Sequence, residues 1–205
     1  MKGFQDAGKP IAGQTRAVNE NHKMCGSDEW RTLVRETILP GALADVDLGD
    51  DVLEVGPGYG ATTDVLGGRV PRLTAVEIDE ELAAMLTDRF AANPAVTIVR
   101  GDATALDFPD GRFTGATSFT MLHHVPTPEL QDRLFGEVCR VLRPGGALVA
   151  LDSLPDAGLE ELHAGDTYNP IDPDGLAARL ASAGFTAVDI RTNEFGWVAT
   201  ARRPD

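Results

Sequence analysis

The chain has 205 residues, enough to bury one sizeable core, and 42% hydrophobic with 24% charged residues is an ordinary globular composition. Its 18 basic and 32 acidic residues leave a net charge of −14, which repels phosphate backbones and sets aside a DNA or RNA substrate. No apolar run approaches the roughly 20 residues that span a bilayer, and Met1-Lys-Gly-Phe-Gln-Asp6 lacks the apolar core of a secretory signal, so the expected setting is cytoplasmic.

Residues 1–47 carry few core signals before Trp30 and are expected to form an N-terminal helical segment packed on the rest. Within it, Asn19 to Cys25 can fold over a ligand as a lid. His22-x-x-Cys25 has no matching second pair, and Cys25 and Cys139 lack paired spacing, so neither a metal site nor a disulfide framework is expected. Ser27 caps a predicted helix over Asp28 to Leu39, with Trp30, Leu33, Val34 and Ile38 at helical spacing and Pro40-Gly41 ending it.

From Leu48 onward, strand-like and helix-like segments alternate, the signature of a parallel sheet covered on both faces. The first predicted strand is Asp51 to Val55. The helix after it spans Thr62 to Leu66, followed by a strand over Leu73 to Asp79 and a helix over Asp79 to Ala92. Strands near Val96 to Arg100 and Gly115 to Phe119 come next. The second of these ends in Thr120-Met-Leu-His-His-Val-Pro126, before a helix from Pro128 to Leu142 whose apolar face is Leu130, Leu134, Val138 and Val141.

Ala147 to Leu151 reads as the fifth strand. The stretch from Leu154 to Ile171 is longer than the usual connection of roughly 2–6 residues and is read as a functional loop carrying His163, Asp166 and Tyr168. Asp172-Pro173 starts the last helix, with Gly184 past its end. Phe185 to Arg191 and Phe195 to Arg202 form an antiparallel pair, because the turn near Asn193-Glu194 is too short for a parallel crossover. Phe195 and Trp197 alternate along the last strand and are expected to pack together in the core. The expected fold is α/β, a Rossmann-like doubly wound seven-stranded sheet, mostly parallel with an antiparallel C-terminal strand, over residues 48–205.

The most informative segment is Asp51-Val-Leu-Glu-Val-Gly-Pro-Gly-Tyr-Gly60. It joins a buried strand to a turn whose glycines let backbone approach a ligand closely. Read loosely, Gly56-x-Gly58-x-x-Ala61 also satisfies the dinucleotide fingerprint, which keeps an NAD(P)-dependent oxidoreductase as the alternative. Glu54 shifts the balance, since a carboxylate at the mouth of the turn repels a pyrophosphate and suits a cationic amine. Glu77 lies about twenty positions on, where a ribose-binding carboxylate belongs.

These segments resemble the class I S-adenosylmethionine-dependent methyltransferases. Glu54-Val-Gly-Pro-Gly-Tyr-Gly60 looks like that family's first motif and Val76-Glu77-Ile78-Asp79 like its ribose-binding strand end. Gly101-Asp102-Ala103 resembles the adenine-contacting segment, and Leu142-Arg-Pro-Gly-Gly-Ala-Leu148 the turn before the fifth strand. The resemblance implies S-adenosylmethionine as cofactor, held by Glu54, Gly56, Pro57, Gly58, Tyr59, Gly60, Glu77, Ile78, Asp102, Ala103 and Thr120. It implies methyl transfer to an O or N atom of a small-molecule acceptor, with His123, His124, His163 and Tyr168 as candidates for catalysis. A non-catalytic cofactor-binding protein is the remaining alternative.

Overall fold

The computed structural model describes residues 20–205, with side chains from Asn21 onward. The readings of Met1 to Asp6 and of Asn19 fall outside the described residues. Among the described residues, no helix is long and apolar enough to cross a membrane.

Strand β1 (Asp51–Val55) pairs in parallel with β2 (Arg72–Glu77) and with β4 (Phe113–Phe119). Parallel pairing continues from β2 to β3 (Val96–Arg100) and from β4 to β5 (Leu142–Ser153). The last two strands, β6 (Thr186–Thr192) and β7 (Gly196–Arg202), pair antiparallel, and β7 inserts antiparallel beside β5. The sheet order is β3-β2-β1-β4-β5-β7-β6. This is the mostly parallel, doubly wound sheet that the alternation of elements predicts.

The period-2 geometry of a strand sends successive side chains to opposite faces, and β1 uses both. Leu53 and Val55 join a core built with Phe113, Leu134, Phe135, Val138, Leu176 and Trp197, under helices α5 (Pro128–Val141) and α7 (Pro173–Ser182). Val52 faces the other core, with Val34, Leu39, Leu66, Leu73 and Val149, under the N-terminal helices and α3 (Ala61–Leu66). Packing is tight enough that Gly115 is required: a Cβ there would lie 2.5 Å from the Leu48 carbonyl oxygen.

Four expectations change. The first helix does not end at Pro40. Helix α1 (Asp28–Leu33), capped by the Ser27 side chain, runs through a π-helical stretch (Val34–Ile38) into α2 (Leu39–Ala42). The Leu39 N–H bonds back to the Val34 carbonyl, a wider turn that lets the helix pass a proline lacking its own N–H. Strand β5 begins at Leu142, so the turn expected before it is part of the strand, with a register shift opposite Phe113 and Gly115. The long connection after β5 holds a short helix, α6 (Ala157–Leu162), because the Asp156 side chain accepts from the Gly158 and Leu159 N–H groups.

Finally, Phe195 does not pack beside Trp197. Trp197 is 1% exposed and Phe195 is 79% exposed. The Asn193 side chain accepts from the N–H groups of Phe195 and Gly196, winding the chain into a tight turn that takes Phe195 out of the strand.

Candidate cofactor and transfer site

Strand order reverses between β1 and β4, and ligands of open α/β sheets bind beyond the carboxyl ends of strands at such a point. The glycine turn leaves β1 there. Gly56, Gly58 and Gly60 have φ of 67°, 54° and 77°, in the left-handed region where a side chain is strained. Among the described residues, a Cβ on Gly58 would meet nothing within 4 Å, so they leave this edge of the turn open to a ligand. A Cβ on Gly56 would lie 2.8 Å from Met121, which places the loop after β4 directly against the turn.

Two buried carboxylates brace the turn. Glu77 accepts from the Gly58 N–H at 3.0 Å through Oε2 and from the Asp79 N–H at 2.9 Å through Oε1. Burial raises its pKa from the ordinary carboxylate range. Glu54 accepts from the hydroxyls of Thr62 and Thr63, the latter at 2.8 Å. Burial pushes its pKa up to about 7. Sequence reasoning aimed Glu54 at an amine in the cleft, whereas here the first turn of α3 holds it.

Asp79 caps helix α4 (Glu80–Phe90), and Ile78 beside it is 37% exposed at the rim. Asp102 accepts from the Thr104 N–H and hydroxyl through Oδ1, forming a turn that carries Ala103. Pro57 is buried, and its carbonyl accepts from the Gly60 N–H at 2.8 Å. The Tyr59 carbonyl is held by Arg89, which in turn pairs with Asp64, a carboxylate that Arg31 of α1 also reaches at 2.7 Å. This brace was not read from the sequence, since its members lie on three separate elements.

Thr120, at φ 52°, turns the chain out of β4, and its N–H bonds to the Leu151 carbonyl. A 3₁₀ turn over Leu122–His124 follows. His123 sits on it, buried, with Nδ1 2.6 Å from Oδ1 of Asp152 and its backbone N–H 3.0 Å from Oδ2. Asp152 stands at the carboxyl end of β5 and is 1% exposed. Its place at a strand end beside the β4 loop was a readable signal that sequence analysis passed over.

The three candidate histidines converge, and a fourth joins them. His22, on the 3₁₀ segment Glu20–Gly26, has Nε2 3.1 Å from Nε2 of His163. Ring centroids are 4.3 Å apart for His123 and His124, 4.9 Å for His123 and His163, and 4.8 Å for His22 and His124. Burial, and then the neighbouring imidazoles, push the His124 pKa down to about 2, so this ring stays neutral. One ligating atom from each of the four lies within 4.8 Å of the others.

Tyr168 stacks near His163, centroids 4.7 Å apart, but its hydroxyl accepts from the Asp156 N–H at 3.3 Å. That contact ties the tyrosine to the start of α6. Asn169 bolts the same connection to the β4 loop, donating from its backbone to the His123 carbonyl and from its side chain to the Val125 carbonyl. At the far end of the 3₁₀ segment, a Cβ on Gly26 would lie 3.1 Å from the Tyr59 ring, while Asn21 donates to the Leu162 carbonyl. The segment thus runs from the glycine turn to α6.

A sheet of this order, with a glycine turn after β1 and acidic residues ending β2 and following β3, defines the class I S-adenosylmethionine-dependent methyltransferase fold. Comparison with known proteins agrees. Residues 53–150 match the family described as "Methyltransferase domain". Over those residues, just under half of the chain, it is similar to S-adenosylmethionine-dependent methyltransferase domains, and the fold is theirs.

The fold matches a Pyrococcus horikoshii protein with a TM-score of 0.76 at 18% identity, covering 91% of this chain and 99% of that one. A Haemonchus contortus phosphoethanolamine N-methyltransferase, solved with phosphomonomethylethanolamine and S-adenosylhomocysteine, matches with a TM-score of 0.72 at 14% identity, over 91% and 58% of the two chains.

Among curated proteins, the chain is 43% identical over 74 residues to ribosomal RNA small subunit methyltransferase A of Geobacter sulfurreducens, covering 35% of this chain and 27% of that protein. It is 38% identical over 114 residues to the protein of that name from a Synechococcus strain, covering 53% and 40%. The chain thus spans well under half the length of these relatives.

Their names correct one expectation. Nucleic acid was set aside on net charge, yet these relatives are named for ribosomal RNA. A whole-chain charge sums the entire surface, whereas a nucleotide meets only the field at the cleft, so −14 is no ground for exclusion.

Proposed function

We propose that the chain transfers the methyl group of S-adenosylmethionine to an O or N atom whose proton leaves at the histidine cluster. The observation that carries this reading is the buried His123–Asp152 pair, 2.6 Å apart, on the loop whose Met121 touches the glycine turn. An Asp on Nδ1 orients the imidazole and leaves Nε2 to take a proton from a hydroxyl or amine. The sulfonium supplies the electrophilic carbon, and the chain supplies placement and proton removal. In this reading Glu77 and Asp102 accept from the ribose hydroxyls and the adenine amine, while the open edge at Gly58 admits the methionine moiety.

The names of the curated relatives favour an RNA nucleotide as carrier of the acceptor atom. A small-molecule acceptor is the second reading, favoured by the way the segment from His22 to Gly26 and the connection from His163 to Asn169 close over the cluster. Incubation with labelled S-adenosylmethionine and either ribosomal RNA or a panel of phenols, alcohols and amines tests both. Label in one arm selects that reading. Binding of NAD(P) without binding of S-adenosylhomocysteine would overturn the methyltransferase assignment itself.

A further inference from the structure

The four histidines of this chain, brought together from three distant segments, call for a partner of their own. His22, His123, His124 and His163 are the chain's full complement of histidine, and all four meet in one place. His22 and His163 are 5% and 3% exposed and separated by 141 positions in the chain, so chance surface proximity does not account for their contact.

His163 Nδ1 lies 2.6 Å from the Leu159 carbonyl oxygen, which can only accept, so this nitrogen carries the proton and Nε2 of the neutral ring bears a lone pair. His123 Nδ1 lies 2.6 Å from the Asp152 carboxylate, which fixes the same tautomer. His22 presents its Nε2 to that of His163 at 3.1 Å, and its Nδ1 faces Asp166 at 3.7 Å. The fourth ring, His124, has a buried Nδ1 with no hydrogen-bond partner among the described residues. Four imidazole nitrogens thus converge within 4.8 Å of one another, with the outer nitrogens of His123 and His163 already bonded to acceptors, an arrangement that suits a shared cation.

We propose that the cluster is a binding site for one divalent transition-metal ion of the zinc class, ligated by His22, His123, His124 and His163. Imidazole nitrogen is the donor that suits zinc, copper, iron and nickel and does not suit magnesium or calcium. Nitrogens about 2.0–2.1 Å from a tetrahedral zinc stand about 3.3–3.4 Å from one another; His22 Nε2 and His163 Nε2 are 3.1 Å apart, and all four ligating atoms lie within 4.8 Å of one another. The surroundings are those of a built site. Metal-bound histidines characteristically give their other ring nitrogen to a carboxylate or carbonyl. Here Asp152, Leu159 and Asp166 stand in those places, and the two buried carboxylates offset the charge of the ion.

The ion fastens the 3₁₀ segment over the cleft, because His22 is the one ligand that segment contributes while the others come from the β4 loop and the end of α6. Only this consequence rests on the methyltransferase reading. Without the ion His123 is free to act as a base; with it, the same nitrogen would be a ligand of a closed four-histidine site and unavailable for proton removal.

The test uses the full chain without an affinity tag, stripped of metal and titrated with Zn2+ by calorimetry and with Co2+ by absorption. Binding of S-adenosylhomocysteine is measured in the same samples. One Zn2+ per chain is expected, with an intense tetrahedral nitrogen-ligated Co2+ spectrum and no saturable binding of Mg2+. His22→Gln and His163→Gln should each weaken Zn2+ binding more than about 100-fold, beyond the 10–100-fold expected for the outer partner in Asp152→Asn.

Should a substitution unfold the chain by circular dichroism, the wild-type Co2+ spectrum decides alone, since no histidine lies outside the cluster. Absence of saturable Zn2+ binding, a hydrated-ion Co2+ spectrum, or unchanged binding in folded His22→Gln and His163→Gln would overturn the proposal. Loss of metal with S-adenosylhomocysteine still bound refutes this site and leaves the methyltransferase reading standing. Failure of the thioether to bind refutes that reading instead.

Discussion

Replacing Glu77 by Gln removes one charge while keeping the size of a side chain that is 4% exposed. The wild-type carboxylate accepts from two backbone N–H groups, those of Gly58 at 3.0 Å and Asp79 at 2.9 Å. A glutamine amide has one oxygen and one NH2 group, so it can serve one of these donors and must turn its own donor toward the other. One buried N–H is then unpaired, at about 1–3 kcal/mol of stability. The ribose hydroxyls lose a charged acceptor as well, about 1.5–3 kcal/mol of cofactor binding, or roughly 10–150-fold in Kd. Titration calorimetry with S-adenosylhomocysteine measures the second effect and thermal unfolding without ligand the first. A folded Glu77→Gln variant whose Kd stays within about twofold of wild type would refute the placement of ribose at β2.

Gly58→Ala should cost the free protein only about 1–2 kcal/mol for a left-handed alanine, since its Cβ meets nothing within 4 Å among the described residues, yet it should abolish measurable cofactor binding by filling ligand space. Equal stability loss with intact binding would show that the open edge is not the cradle. Burial raises the folded pKa of Glu54 from 4.5 to about 7, so the folded state holds that proton more tightly. Its contribution is fully present below about pH 4.5 and is lost as pH rises through 7, on the order of 3 kcal/mol at 1.36 kcal/mol per unit. Glu54→Gln should flatten that fall in unfolding free energy between pH 4.5 and 8, and a wild-type slope in the variant would remove Glu54 as its cause. His123→Ala should lose turnover with S-adenosylhomocysteine affinity nearly unchanged; matching losses in both would make the residue part of the cofactor site.

The parts legible in the sequence are those governed by local chemistry. A run such as Val52, Leu53 and Val55 can satisfy its two faces only inside a covered sheet, and glycines at 56, 58 and 60 announce backbone that a side chain would strain. Caps at Ser27 and Asp172 are likewise local, since each side chain bonds an N–H two or three residues on. Local reasoning misled where the neighbourhood overrules propensity. Pro40 sits inside a continuing helix because a π turn accommodates it, and Phe195 is exposed because Asn193 folds the chain before β7 begins.

The chain order of strand, glycine turn and acidic strand end was sufficient to indicate the sheet and to favour S-adenosylmethionine over a dinucleotide, because those signals repeat at distances a strand or a helix can span. Where the candidate acid-base groups meet was decided only in three dimensions. Asp152 reaches His123 across 29 positions and His22 reaches His163 across 141, on elements whose separation is closed by parallel pairing of β4 with β5 and by the packing of the N-terminal segment. A histidine's neighbours set its tautomer and what it can bind, and sequence spacing carries no record of neighbours that distant.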